Sequence, residues 1–404
     1  MPLSEVPIVI GSSRDGISIV KTWTWPYPDH PGLLASKLGV EPKHKFYSEH
    51  GGDKPEKLFD EAAKRVARGE CTVAVVAGGE SLASSPSQSV ESVFTPTSMD
   101  LGNTRRRQSV KVNNDESATL YAEFSKVASA NEIAWSHGQY SDEKTIGTVS
   151  KKNCMICFPY PLLMNAFNTV NLAAACILTC PTHARALGHI PLLNAALSLA
   201  QISVSDIDLF DFYPCFPIVP KLAAHHLGLP VTGGEKSMML LGGLTSFGGA
   251  GNSYSMHAFT TMTRAIREGK ARTGMVLCNG GVLSYQYVVV LSKEGRRDGA
   301  YPRENPLPDE VTDLQVPEIE ERPRDEAIIE TYAVEYKRDG TPLRGYVVGR
   351  LKGNGKRFLA NHGDESTLRQ MAGAGEVVGK SGWVESDADR EGRSLFTFEK
   401  RLKV

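Results

Sequence analysis

The run Leu240–Phe259, LLGGLTSFGGAGNSYSMHAF, constrains this chain more than any other stretch. Its glycines let the backbone turn at positive φ and let N–H groups approach a neighbour or ligand closely. From about Ser255 to Arg267 the pattern turns helical, with Met256, Phe259, Met262 and Ile266 recurring at spacings of three and four. A glycine-rich loop feeding a helix N-terminus can line a pocket for an oxyanion or a phosphate. Glycine content by itself fits equally well a tight turn in which His257 only packs.

The same order of elements occurs earlier in the chain. A strand-like Lys43–Tyr47 leads through the polar SEHGGDKP to an amphipathic helix, Glu56–Arg68, whose apolar face is Leu58, Phe59, Ala62, Ala63 and Val66. Gly69 stops that helix, and the apolar Cys71–Ala77 predicts a buried strand closing on Gly78-Gly79-Glu80-Ser81. In the second half, Asp206–Phe212 predicts a strand ahead of Tyr213-Pro214-Cys215-Phe216-Pro217. A helix follows with Val219, Leu222, Ala223 and His226 inward, then the glycine run and its helix. Strands at Gly274–Cys278 and Val282–Ser292 close the pattern, joined at Asn279-Gly280-Gly281, a hairpin signal. Strand, small-residue loop, helix and strand, twice over, predict a duplicated α/β architecture.

Other segments complete the outline. Strands are expected at 6–10 and Ile17–Thr24, and helices at Pro31–Leu38, Leu120–Ala130, Pro181–Leu187 and Leu192–Ala200. Residues 84–118, rich in Ser, Thr and Arg without a period, predict a solvated loop, and 131–152 a polar excursion over a site. Prolines among many charges mark 293–325 as a linker. Beyond it, short strands at Thr331–Tyr336, Arg344–Leu351, Arg357–Ala360, Gly382–Glu385 and Ser394–Phe398 suggest a small β-barrel or sandwich.

Composition narrows the partners. With 404 residues the chain exceeds one small core, and a net charge of −1 offers no basic surface for nucleic acid or anionic membrane. No run approaches the roughly 18 apolar residues of a membrane helix. The N-terminus carries no secretory pattern and the C-terminal KRLKV is not a peroxisomal address, so the cytosol is the default expectation. Seven scattered cysteines fit reduced thiols. Cys154 with Cys157, and Cys176 with Cys180, lack the setting of a structural zinc site, so no metal is expected.

Six pieces in order, RGECTVAVVAGGES, SANEIAWS, FPYPLLMNAFNTVNLAAA, DFYPCFPIVPKLAAHHLGL, GGLTSFGGAGNSYSMHAF and CNGGVLSYQYVVVLS, resemble the thiolase superfamily in its sterol-carrier-protein-type branch. The resemblance is closer still to thiolase-like proteins with an additional C-terminal domain, often named acetyl-CoA acetyltransferases. It implies an α/β thiolase fold of two similar halves in five layers, α/β/α/β/α, followed by a small OB-like β-barrel. The expected division is 1–170 for the first half, with a loop excursion over about 84–158, then 171–292 for the second half, a 293–325 linker and a 326–404 β-rich domain. Relatives carry a long helical stretch between the first two strands where this chain has only GSSRDG, so the sheet face there is expected to be left bare or covered by a partner copy.

The resemblance also implies chemistry on coenzyme A thioesters. Thiolases acylate a cysteine at a helix N-terminus, where the helix dipole favours the thiolate, and a second cysteine moves the α-proton. The second cysteine matches Cys278. The first would fall near Gly51-Gly52, where no cysteine stands, with Ser48 and His50 just before it and Ser48 a weak substitute. The motif carrying the oxyanion-hole asparagine or histidine matches Tyr213-Pro214-Cys215-Phe216, making Tyr213 a donor, and His257 is the nearest substitute for the catalytic histidine. Gly248, Gly249 and Gly251 would supply backbone donors, with Asn252, Cys215 and Gly280 lining the substrate site. Two functions are therefore carried forward. One is a thiolase-like acyltransferase of lipid metabolism that uses acyl-CoA, no bound cofactor and no nucleophilic cysteine. The other is a non-catalytic acyl-CoA- or lipid-binding scaffold. Both leave a homodimer open.

Overall fold

The computed structural model describes residues 16–71, 73–84, 109–179, 190–280, 285–295, 318–337, 339–373 and 375–400. The strand expected at 6–10, the helix at 181–187, most of the 84–118 loop and most of the linker lie outside the described residues. The chain divides into two compact units, the first built from Met1–Val90, Glu123–Tyr140 and Ala166–Pro308, the second from Glu91–Ala122, Ser141–Asn165 and Asp309–Val404.

The first unit is organised around two helices that repeat each other. One, α2, spans Lys54–Ala67, and the other, α8, spans Tyr254–Arg267, each 14 residues long. Their ends are built alike. Gly69 at φ 72 and Gly269 at φ 75 take the left-handed conformation that an L side chain resists. Gly69 N–H donates to Val66 O and Glu70 N–H to Arg65 O, and Gly269 and Lys270 repeat the pattern on Ile266 and Ala265. Phe59 and Phe259, at matching places, stack with centroids 4.9 Å apart and planes 5° from parallel. The face Met256, Phe259, Met262 and Ile266 is buried as its spacing predicts.

A sheet flanks this helix pair on either side. In the first, β1 (Gly16–Ile19) pairs in parallel with β2 (His44–Tyr47) and β3 (Val73–Ser81), and β3 pairs antiparallel with β6 (Asn171–Thr179). In the second, β7 (Leu209–Phe212) runs parallel to β8 (Thr273–Asn279), which pairs antiparallel with β9 (Gln286–Ser292). α2 packs on β3, β6 and β9, and α8 on β6, β8 and β9, so both helices lie between the sheets. Outside, α1 (His30–Leu38) covers β1 and β2, while α5 (Ile190–Ala200) packs on β9 and α6 (Ile218–Leu227) on β7. These are the five layers α/β/α/β/α, and the two parallel-then-antiparallel sheets are the duplicated halves.

Four details differ from the sequence expectations. The strand expected over 17–24 ends at Ile19, because Trp23 and Thr24 turn to donate their N–H groups to Glu80. The helix α3 runs Val110–Ala130, beginning ten residues earlier than its apolar period. In α6, His226 lies exposed in the last turn, while Lys221 is fully buried alongside Val219 and Ala223. The hairpin after β8 is wider than a two-residue turn, since Asn279 faces Gln286 and Gly280 N–H donates to Tyr285 O.

The second unit contains a closed five-stranded barrel. Its strands β10 (Arg324–Tyr336), β11 (Pro342–Leu351), β12 (Arg357–His362), β13 (Ser381–Ser386) and β14 (Ser394–Thr397) pair in the order β10-β11-β12-β14-β13 and back to β10. The parallel β12–β14 pair and a helix, α9 (Glu365–Ala372), between β12 and β13 give the OB topology. Large and small residues alternate inside, with Phe358 against Gly349 and Phe396 against Gly382. On the outer side β4 (Met155–Phe158) adds to β10 at Phe158–Val334 and Cys157–Glu335. Asp364 caps α9 by accepting from Thr367 N–H at 2.7 Å, beneath the buried Leu368 and Met371. Asp364→Ala is expected to cost about 1 kcal/mol and Asp364→Asn little, read from protection of α9 amides against hydrogen exchange.

Candidate functional site

Ligands of layered α/β folds bind beyond the carboxyl ends of the parallel strands. Here the segments leaving β1, β2, β3, β7 and β8 meet at one place, and both central helices start there. Ser48 N–H donates to Ile19 O at 3.0 Å, joining the segments after β1 and β2, and Tyr213 N–H donates to Leu277 O at 2.9 Å, joining β7 to β8. The halves are joined through Asn252, which is 2% exposed. Its Oδ1 accepts from Gly51 N–H at 3.1 Å, its Nδ2 donates to Lys21 O at 2.9 Å, and the same Nδ2 lies 3.2 Å from His50 Nδ1.

The start of α2 is closed by the second half. A Cβ added at Gly52 would stand 2.4 Å from the Asn279 carbonyl oxygen and 2.8 Å from the Tyr213 hydroxyl. A Cβ at Gly280 would stand 2.5 Å from Asp53 Oδ1. Tyr213, Asn252 and Gly280 thus meet around Gly51-Gly52-Asp53. Asp53 does not cap α2 with its side chain; its Oδ2 pairs with Lys54 Nζ at 2.8 Å. From the far side of the loop, Glu80 holds Trp23 and Thr24 and packs against Gly251.

The other residues named from the sequence are largely committed to contacts within the protein. Ser48 is buried, and its hydroxyl accepts from Lys21 N–H and donates to Glu49 O. His257 lies one turn inside α8, 3% exposed, beside the Phe247 ring at 5.5 Å. Burial pushes its pKa down to about 4, so it is a neutral imidazole at physiological pH. Cys278 is fully buried in β8 opposite Tyr287. Gly249 N–H donates to Phe167 O and Gly251 N–H to Gly249 O, so both backbone donors are engaged within the protein. Gly248, at φ 125, packs against Val170. Cys215 keeps partial solvent access at the residue level, yet lost hydration pushes its thiol up to about 12.

The interior behind the site holds several buried acidic groups. Glu56, in the first turn of α2, is fully buried beside Ser255. Burial, then the charges of Asp53 and Asp211, raises its pKa well above the usual carboxylate range. Asp211 Oδ2 accepts from the N–H groups of Leu240 and Leu241, each at 3.0 Å, but burial still pushes it up to about 7. Burial also raises Tyr213, helped by Cys215, Glu56 and Asp53, so its phenol keeps its proton.

The sequence reading left out Asp53, Glu56, Glu80, Asp211 and Asn279, and gave His50 no role. One signal for His50 was available: SEHGGD precedes α2 at the place where AGNS precedes α8. Among the described residues no group of three or more His, Cys, Asp or Glu is placed to hold a metal ion, and no helix is long and apolar enough to cross a membrane.

Comparison with known proteins places this architecture. Residues 306–389 match the family described as the thiolase-like protein type 1 additional C-terminal domain. The whole chain is similar to a monomeric SCP2-thiolase-like protein type 1 from Mycobacterium smegmatis, at 26% identity and a TM-score of 0.78, over 96% of this chain and 90% of that one. The Ltp2–ChsH2(DUF35) aldolase shares the fold at a TM-score of 0.52 and 15% identity, over 69% of this chain and 87% of that one. No curated protein matches the chain. The duplicated layers, the closed barrel and the matched C-terminal domain together support a thiolase-like protein of type 1 with the additional C-terminal domain.

Proposed function

We propose that this protein binds acyl-CoA thioesters at the carboxyl ends of β1, β2, β7 and β8, and acts on them without an acyl-cysteine intermediate. The observation that carries the reading is at Gly52. The helix start at which the resemblance puts the acylated cysteine is packed against the Tyr213 hydroxyl and the Asn279 carbonyl, with no room for a side chain. Transfer would then be direct. The acceptor attacks the thioester carbonyl, the C–S bond breaks, and coenzyme A leaves as a thiolate that takes up a proton. Hydrogen-bond donors at the carbonyl oxygen carry the stabilisation. All six cysteines described are free thiols, in keeping with a reducing compartment such as the cytosol.

The full burial of Cys278 favours a second reading, an acyl-CoA- or lipid-binding protein without turnover. Incubation with acetyl-CoA and longer acyl-CoAs, followed by intact mass and thiol release, separates the two. The transfer reading expects thiol release with candidate acceptors and no acyl mass on the protein. Binding without release supports the scaffold. A stable acyl adduct on any cysteine or serine would overturn the non-covalent mechanism.

A further inference from the structure

Asn252 determines more than the joining of the halves. Its amide can face only one way: turned over, Oδ1 would oppose the Lys21 carbonyl and the NH2 group would oppose Gly51 N–H. Nδ2 therefore points at His50 Nδ1 as a donor, at 3.2 Å. A donor facing Nδ1 requires an unprotonated nitrogen there. In a neutral imidazole the proton then sits on Nε2. Protonation to the imidazolium would set N–H against N–H, and burial and the Lys21 charge also lower the pKa of His50. Unlike His257, His50 remains exposed, and among the described residues its Nε2 has no hydrogen-bond partner. The ring is braced edge-on by Trp23, with centroids 6.3 Å apart, and immediately precedes Gly51-Gly52.

We propose that His50, held by Asn252 as the tautomer protonated on Nε2, hydrogen-bonds the carbonyl oxygen of the bound thioester as an electrophile and not as a base. The assignment rests on the thioester reading above and gives that site its donor. A base at this position would need Nε2 unprotonated, which the Asn252 contact disfavours. Asn252 is thus a positioning residue, acting through His50.

The test uses the full chain labelled with 15N-histidine. At pH 7 the His50 resonances, identified by their loss in His50→Gln, are expected to show a protonated Nε2 and a bare Nδ1. Asn252→Asp, which sets an acceptor opposite Nδ1, is expected to invert that pattern. Difference infrared spectra with acetyl-CoA carrying a 13C carbonyl supply the second readout. The carbonyl stretch should be lowered on binding to the wild type and to His50→Gln, which keeps an N–H donor, and should return to its solution value in His50→Leu. These two variants keep the proposal testable if Asn252→Asp does not fold. A proton on Nδ1, or the same stretch in wild type and His50→Leu, would overturn the donor role while acetyl-CoA still binds. Absence of acetyl-CoA binding with the stated tautomer intact would overturn the thioester reading, and the role of His50 with it.

Discussion

Gly52→Cys is expected to destabilise the protein by about 2–3 kcal/mol and to remain unacylated by acetyl-CoA. The substitution puts a thiol where the resemblance would want the nucleophile, yet the new Cβ would stand 2.4 Å from a backbone oxygen. That oxygen belongs to Asn279 at the end of β8, which is held by pairing to Gln286 on β9. The strand end cannot retreat without breaking its ladder. The second neighbour, the Tyr213 hydroxyl at 2.8 Å, is the end of a side chain. Tyr213→Phe should therefore recover a part of the loss, and Gly52→Ala should cost about as much as the cysteine. Urea midpoints of the four proteins, with intact mass after acetyl-CoA, decide the matter. A Gly52→Cys protein as stable as wild type and carrying an acetyl group would show that the loop adjusts freely.

Asp211→Asn is expected to stabilise the protein at and above pH 7 by about 4 kcal/mol and to leave it unchanged below pH 4. The Asp211 carboxyl, ordinarily titrating near 3.8, is pushed to about 7 in the fold by burial. Between those values the folded state holds a proton that the unfolded state has released. Raising the pH through this window thus favours unfolding, and the loss levels off above about 7. Asparagine keeps an oxygen to accept from Leu240 and Leu241 N–H and has nothing to ionise. Glu56 shifts in the same direction and is raised in part by the Asp211 charge, so the difference profile reports Asp211 together with the relief of Glu56. Urea midpoints from pH 4 to 8 measure it, and parallel profiles would refute the assignment.

Helix-start glycines illustrate how much of the site a sequence can display. Gly51-Gly52 and Gly248, Gly249 and Gly251 are visible as loops feeding helices. Their purposes differ once folded. Gly52 admits the Tyr213 phenol, while Gly249 N–H is spent on Phe167. His50 in SEHGGD has the look of any solvated loop residue, and its partner Asn252 lies 202 positions away. His257 carried the stronger local signal, at the end of a glycine run, and proved to be interior because its turn of α8 faces the neighbouring layer.

The elements and their order were legible along the chain: the period of three and four in α2 and α8, their matched glycine stops, the repeated strand–loop–helix–strand pattern, and the five strands of the barrel. Those properties follow from the side chains and backbone of neighbouring residues, so local spacing reports them. Which polar groups meet became visible only in the folded chain. Hydrogen bonds act over about 3 Å, and the atoms that orient His50 and close Gly52 come from opposite halves of the fold. Burial does the rest, since the same carboxyl or imidazole keeps or loses its proton according to the water left around it.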